Sequence, residues 1–314
     1  MPDSVLGIHH VTAIAGDPQR NVQFYTDLLG LRLVKRTVNF DDPTTYHLYY
    51  GDETGHPGTL LTFFPWPNAP HGQSGSGQAS ATSFAIPRDS VNFWLNRLRD
   101  ADIELSGPTK RFDETVLSFS DPDGLRLELV TVDNPDPDRG WNEGPIPRPH
   151  GIRGLFGVTL IQESISRTHE VLSEMGFRES SRDGSRYRYE IGNSELGKVV
   201  DIIHAPNLPR GHIAVGSVHH VAWRTPNDEE QKQWRSKLID TGIQVTPVID
   251  RIYFHSIYFR EPGGVLFEIA TDPPGFVIDE PSTRLGTNLM LPPWLEPMRP
   301  NIEQALAPIR LPHN

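Results

Sequence analysis

The sequence predicts an α+β fold built from four βαβββ modules that form two domains, and three observations predict it. First, the chain repeats internally: Val5–Ile14 aligns without gaps on Ile152–Ile161, and Arg111–Gly124 aligns without gaps on Arg251–Gly264. Second, helix-leading strands recur near residues 6, 80, 153 and 217, each followed by the same order of strand and helix signals. Third, 27 glycines and 29 prolines among 314 residues exceed the ordinary share of about 12%, as expected for many short strands joined by turns.

Copy one sets the pattern. A strand at about 7–14 leads into a helix at about 18–29, where Val22, Tyr25, Leu28 and Leu29 recur at helical spacing and Gly30 supplies the stop. Strands follow at about 31–38, 44–50 and 58–64, separated by the turn signals Asp41-Asp42-Pro43 and Gly55-His56-Pro57. Copies two and four repeat the order, with helices at about 89–101 and 227–241 and hairpin turns at Asp121-Pro-Asp-Gly124 and Glu261-Pro-Gly-Gly264. Copy three runs from about 152 to 204. Residues 68–78 form a Gly/Ser-rich join, and the Pro-, Asp- and Gly-rich stretch 132–150 marks the expected domain boundary. The expected organisation is an N-terminal pair of copies over 1–140, a C-terminal pair over 151–272, and a tail over 273–314 with a short helix near 300–307.

Composition narrows the chemistry. With no cysteine, disulfide scaffolds, thiolate nucleophiles and Cys-ligated zinc or iron–sulfur sites are excluded, so any metal falls to His and carboxylates. A net charge of −11 and the lack of a basic run interleaved with aromatics argue against nucleic acid as a partner. No apolar stretch approaches the roughly 20 residues of a membrane span, and the start MPDSVLGIHH lacks a secretory pattern, which predicts a cytoplasmic protein without a membrane partner. A symmetric homo-oligomer is the prior for such a chain.

Equivalent positions in the four copies carry the functional signal. The strand-one position holds His10, Ala81, Gly157 and His220, and the last-strand position holds Thr62, Glu128, Asp201 and Glu268. If copies one and four face each other, His10, Thr62, His220 and Glu268 converge: two imidazoles, one carboxylate and one weak hydroxyl. If copies one and two pair, and three with four, neither site exceeds one His with one or two carboxylates. Copies two and three together give a site without imidazole. A two-His-one-carboxylate set with open positions suits non-haem Fe(II) that must accept both O2 and an organic ligand. A lone strand histidine is ordinarily a hydrogen-bonded core residue, but the His-His doublet recurs at the same position in two copies. Glu268 lies among Val265, Leu266, Phe267, Ile269 and Ala270, where an unpaired carboxylate would be costly, so a metal or cation is expected beside it. Glu128, in a similar context, reads as structural, with Arg126 or Lys110 as its expected partner.

Strand period puts Thr12 on the His10 face and turns His9 and His219 the other way. Arg251, Tyr253, His255 and Tyr258 crowd the strand leading to Glu268, whereas copy two has Arg111, Asp113, Thr115 and Ser118 there. Tyr258 and His255 are therefore candidates for orienting a phenol or moving a proton; the alternative is that Tyr258 fills the barrel wall.

With Ile-His-His-Val near the start, Val-His-His-Val in copy four and Gly-Gly-Val-Leu-Phe-Glu268 near its end, the chain resembles the vicinal oxygen chelate superfamily (glyoxalase, bleomycin resistance and extradiol dioxygenase proteins). More narrowly, His10, Tyr46-His-Leu-Tyr-Tyr, Pro57-Gly-Thr-Leu, His220, Tyr258 with Arg260-Glu-Pro-Gly-Gly, and Gly275-Phe276 with Asp279-Glu280 resemble the hydroquinone-type ring-cleaving dioxygenases. The resemblance implies mixed sheets curled into half-open barrels, Fe(II) held by His10, His220 and Glu268, and supporting roles for Arg251, Tyr258, His9, Thr12 and His219. It also implies a small aromatic diol and O2 as substrates, with ring opening as the reaction. Catechol extradiol enzymes take their first His from copy three, where this chain has Gly157, which favours the hydroquinone branch. Two rivals share the fold: a glyoxalase-like metal-dependent lyase or isomerase, whose fuller ligand set Thr62 does not match, and a metal-free small-molecule-binding protein, which the intact triad disfavours.

Overall fold

A computed structural model describes residues 2–133, 135–192 and 196–311. Copy one comprises β1 (Ile8–Ala15), α1 (Pro18–Gln23), β2 (Arg32–Asn39), β3 (Asp42–Gly51) and β4 (Leu60–Pro65). Asp17 caps α1 by accepting the Arg20 N–H at 2.7 Å, with Pro18 preset for the first turn, and the helix continues as a wider π turn over Phe24–Leu28. Copy two has β5 (Gln78–Pro87), α2 (Val91–Asp100), β6 (Leu105–Arg111), β7 (Glu114–Ser120) and β8 (Arg126–Val132). Copy three has β9 (Leu155–Gln162), α3 (Ser166–Glu174), β10 (Arg178–Asp183), β11 (Arg186–Glu190) and β12 (Val199–His204). Copy four has β13 (Val218–Thr225), α4 (Asp228–Asp240), β14 (Ile249–Asp250), β15 (Phe254–Arg260) and β16 (Leu266–Pro274), and the tail ends in α5 (Arg299–Ala305).

The strands form two mixed eight-stranded sheets, ordered β14-β15-β16-β13-β1-β4-β3-β2 and β10-β11-β12-β9-β5-β8-β7-β6. Each sheet curls into a half-barrel, the α+β architecture the repeats predict. The sheets do not follow the division into 1–140 and 151–272. One joins copy four to copy one through antiparallel β1 and β13, and the other joins copy two to copy three through β5 and β9. The reason is local: each first strand pairs on one side with the last strand of its own copy, in parallel, and offers its other edge to a first strand from the opposite half of the chain.

Sequence-adjacent copies are instead stapled by their hairpin acids. Asp121 accepts the N–H groups of Asp123 and Leu125 and the Tyr25 hydroxyl of copy one, while Asp123 takes Gly16 N–H and Arg20. Glu261 does the same toward copy three, taking Gln162 Nε2 at 3.0 Å and Thr168 Oγ1 at 2.8 Å. Burial raises the Asp121 carboxyl to about 6.

The tail closes the gap between the two edges of the first sheet. Lys35, on edge strand β2, is fully buried and pairs with Asp279 at 2.6 Å and Glu280 at 2.5 Å. Its ammonium also lies 5.1 Å from the ring centroid of Tyr253, beside β15 at the opposite edge, and the Tyr253 hydroxyl donates to Asp279 at 2.9 Å. Phe276 packs on both Tyr253 and Tyr49, 5.0 and 5.1 Å between centroids. Among the described residues, no helix is long and apolar enough to cross a membrane.

Candidate metal centre

Pairing β1 with β13 brings together side chains 210 residues apart. His10 Nε2 lies 3.2 Å from His220 Nε2, and Glu268 Oε2 lies 2.9 Å from His220 Nε2 and 3.4 Å from His10 Nε2. All three residues are buried, with at most 4% of their surface exposed. The geometry thus selects the pairing of copies one and four among those the sequence leaves open.

The local setting explains why the three atoms converge. Glu268 sits on β16 opposite Tyr258 and beside Ala222 of β13. At the position of Ala222 the other copies carry a hydroxyl, in Thr12, Ser83 and Thr159; Thr12 bonds Thr62 at 2.7 Å and Ser83 bonds Glu128 at 2.7 Å. Alanine leaves one flank of Glu268 bare. Ser256 donates to Oε1, and Oε2 has no aligned donor despite its burial. Burial pushes the Glu268 carboxyl up, but the two imidazoles outweigh it and hold the group well below the usual range. Burial, against the pull of Glu268, lowers His220, favouring the neutral imidazole that a metal needs.

His9 and His219 do not point away from this centre, contrary to strand period. In the β1–β13 ladder Ile8 opposes Trp223 while His10 opposes Ala222, and Thr12 opposes His220 while Ala13 opposes Val218. His9 and His219 are therefore the extra residues of two bulges, which re-aim neighbouring side chains. Each reaches its neighbour through Nδ1: His9 to His10 at 2.9 Å and His219 to His220 at 2.8 Å. Burial lowers His9 far below its usual value and takes His219 down to about 3, so both stay neutral. If His10 and His220 donate these bonds, both Nε2 lone pairs aim with a carboxylate oxygen at one point. Three acceptors so placed repel one another unless a cation lies between them. The donor set fits a divalent metal with open coordination positions.

A cavity of about 270 Å³ opens beside the triad, walled by Phe40, Phe64, Trp66, Phe254 and Leu266. Tyr258 and Arg251 stand on one side, with Arg251 Nε donating to the Tyr258 hydroxyl at 3.3 Å. Burial, with Glu268 nearby, raises the Tyr258 phenol so that it keeps its proton at neutral pH. His255 does not join them. Successive residues of β15 face opposite ways, so Ser256 and Tyr258 face Glu268 and the cavity while His255 turns to α4, where its Nδ1 meets Asp228 at 2.6 Å.

Two further residues complete the wall. His47 Nε2 bonds Thr62 Oγ1 at 2.9 Å, its Nδ1 takes the Tyr49 hydroxyl at 2.8 Å, and its ring packs between Tyr49 and Phe64. Thr62, at the fourth position, is thus held by His47 and Thr12. The signal for His47 and Tyr49 was available in their two-residue spacing on β3, but in the sequence they stand out only as part of a family motif.

The equivalent point in the second sheet is filled from within. Glu128 is taken bidentately by Arg111, at 2.6 and 2.7 Å, rather than by Arg126 or Lys110, both of which are exposed. Asp201 is taken by Arg186 and Arg188. Ala81 offers no ligand, and a side chain at Gly157 would strike the Val199 carbonyl. Arg251, the counterpart of Arg111, turns instead to Tyr258 and Asp41 and leaves Glu268 to the imidazoles.

The model of the Glyoxalase/Bleomycin resistance protein/Dioxygenase superfamily matches residues 7–129 and 140–269. MhqO of Bacillus subtilis (strain 168), named provisionally as a ring-cleaving dioxygenase, is 45% identical over 99% of both chains. The chlorohydroquinone/hydroquinone 1,2-dioxygenase of Sphingobium indicum is 35% identical over 94% of both. A crystal structure from Bacillus subtilis subsp. subtilis, provisionally called a dioxygenase, superposes with a TM-score of 0.95 at 44% identity, covering all of both chains.

Proposed function

Since the chain belongs to the glyoxalase, bleomycin resistance protein and dioxygenase superfamily, we propose that it is an Fe(II)-dependent ring-cleaving dioxygenase acting on a hydroquinone-like diol. The observation that carries this reading is the buried convergence of His10, His220 and Glu268 beside a small aromatic-walled cavity. Relatives named for hydroquinone or ring cleavage, matched over at least 94% of the chain, support it. A volume of about 270 Å³ lies just below the usual range of ligand cavities, roughly 300–1,000 Å³, and suits a single substituted ring better than a bulky conjugate. Thr62, already bonded to His47 and Thr12, supplies no second carboxylate of the kind a glyoxalase-like lyase uses.

His10, His220 and Glu268 would hold Fe(II), which would supply the redox chemistry that lets O2 react with the ring. The chain's own residues do the rest. His9 and His219 fix the tautomers of the two ligand imidazoles through their Nδ1 contacts. The Tyr258 phenol, protonated at neutral pH and oriented by Arg251, is placed to donate to a ring oxygen and to return a proton as the ring opens. Phe64, Trp66, Phe254 and Leu266 exclude water and flank the ring.

Anaerobic loading with Fe(II), followed by oxygen uptake with hydroquinone and with catechol, tests the reading. The expected result is one O2 consumed per hydroquinone, with a ring-opened product and slower uptake with catechol. No uptake with either diol, in protein holding one metal per chain, would overturn it and direct attention to lyase chemistry.

A further inference from the structure

The cavity mouth carries a charge pair of which the catalytic reading uses only Arg251, leaving its partner Asp41 without a role. Arg251 lies in the turn between β14 and β15 at one edge of the first sheet, and Asp41 lies at the tip of the β2–β3 hairpin at the other. Their contact, Arg251 Nη2 to Asp41 Oδ2 at 2.9 Å, closes the half-barrel over the cavity, which both residues line. The hairpin tip is itself fixed, since the Asp41 N–H donates to Asn39 Oδ1 at 3.0 Å.

Among the described residues lining the cavity, Arg251 is the one lysine or arginine. Two of its guanidinium nitrogens are engaged, Nε by the Tyr258 hydroxyl and Nη2 by the Asp41 carboxylate, so its charge already has a counter-ion. The acids nearest the bound ring would be Glu268 at the base and Asp41 at the mouth. A ring bearing a carboxylate would therefore enter a space where the available cation already has its anion, and a buried carboxylate without a partner is costly.

Resting on the assignment of this cavity to a ring diol, we propose that Asp41 sets substrate charge: by neutralising Arg251 it admits uncharged hydroquinones and excludes carboxylated ones. With the Asp41 charge removed, Arg251 becomes a receptor for the substrate carboxylate, matching it as arginine matches carboxylates generally.

Asp41 has 72% of its side chain exposed, so its substitution leaves the packed core untouched. The test is anaerobic equilibrium binding to the metal-loaded full chain, read by titration calorimetry, with hydroquinone and with 2,5-dihydroxybenzoate. The wild type is expected to bind the carboxylated diol about 100-fold or more weaker than hydroquinone, the scale of an unpaired buried charge. In Asp41→Asn, which keeps the size and a hydrogen-bond acceptor for Arg251, that ratio should narrow by at least about tenfold. Asp41→Glu should restore the wild-type ratio. Equal binding of both diols by the wild type, or an unchanged ratio in Asp41→Asn while hydroquinone still binds, overturns the role of Asp41 and leaves the ring-diol reading standing. Failure of the metal-loaded wild type to bind either diol overturns both.

Discussion

Replacing His220 by alanine is expected to abolish turnover of hydroquinone and to release the metal. Of the two imidazoles His220 comes nearer to Glu268, at 2.9 Å, and it supplies one of the three ligand atoms that meet at the centre among the described residues. Loss of an outer-sphere partner alone typically costs about 10–100-fold in affinity or activity, so loss of the donor itself should exceed about 10³-fold. Glu268, itself buried, would then keep one imidazole and the Ser256 hydroxyl. The check is metal content by mass spectrometry together with oxygen uptake after Fe(II) loading. A variant retaining stoichiometric metal and more than a tenth of wild-type uptake would remove His220 from the centre.

The largest effect on stability is expected at Lys35. This side chain is fully buried and its ammonium meets two carboxylates, of which Glu280 is nearly as buried. Breaking a buried pair by removing one partner costs about 3–5 kcal/mol, because the remaining charges lose their compensation. Lys35→Met should therefore lower the unfolding free energy measured by urea titration by that amount, and adding Asp279→Asn with Glu280→Gln should recover most of it, since removing both sides of a buried pair is far cheaper than removing one. A single variant within about 1 kcal/mol of wild type would show that the tail is not anchored here. The consequence reaches the cavity through one residue: Phe276 of the tail packs on Tyr49, whose hydroxyl holds His47.

The comparison of Glu128 with Glu268 shows how far the sequence reads. Both occupy the same position in repeated hairpins, both are buried, and the difference between a structural and a functional carboxylate was visible in the His-His doublets of copies one and four. The repeats made the four copies and their element order legible, and they limited the pairing of copies to a few alternatives with distinct chemistry. They did not reveal the partner of Glu128, because Arg111 reaches it across a hairpin rather than along the chain.

Other failures have equally specific causes. Strand period turned His9 and His219 outward because it assumes an unbroken ladder, and each is the extra residue of a bulge. His255 was grouped with Tyr258 by proximity in sequence, although an odd separation on one strand places them on opposite faces. Asp41 was legible only as part of a turn and Lys35 not at all, since their partners Arg251, Asp279 and Glu280 lie more than 200 residues away and meet them only when the sheet curls.

One divalent metal is expected among His10, His220 and Glu268, and none in the second half-barrel, where Arg111, Arg186 and Arg188 occupy the carboxylates. Anomalous diffraction at the iron edge from crystals loaded anaerobically with Fe(II) tests it most directly. The expected result is a single peak within bonding distance of the two Nε2 atoms and Glu268 Oε2. A peak between Glu128 and Asp201, or none at the triad in crystals shown to contain iron, would contradict it.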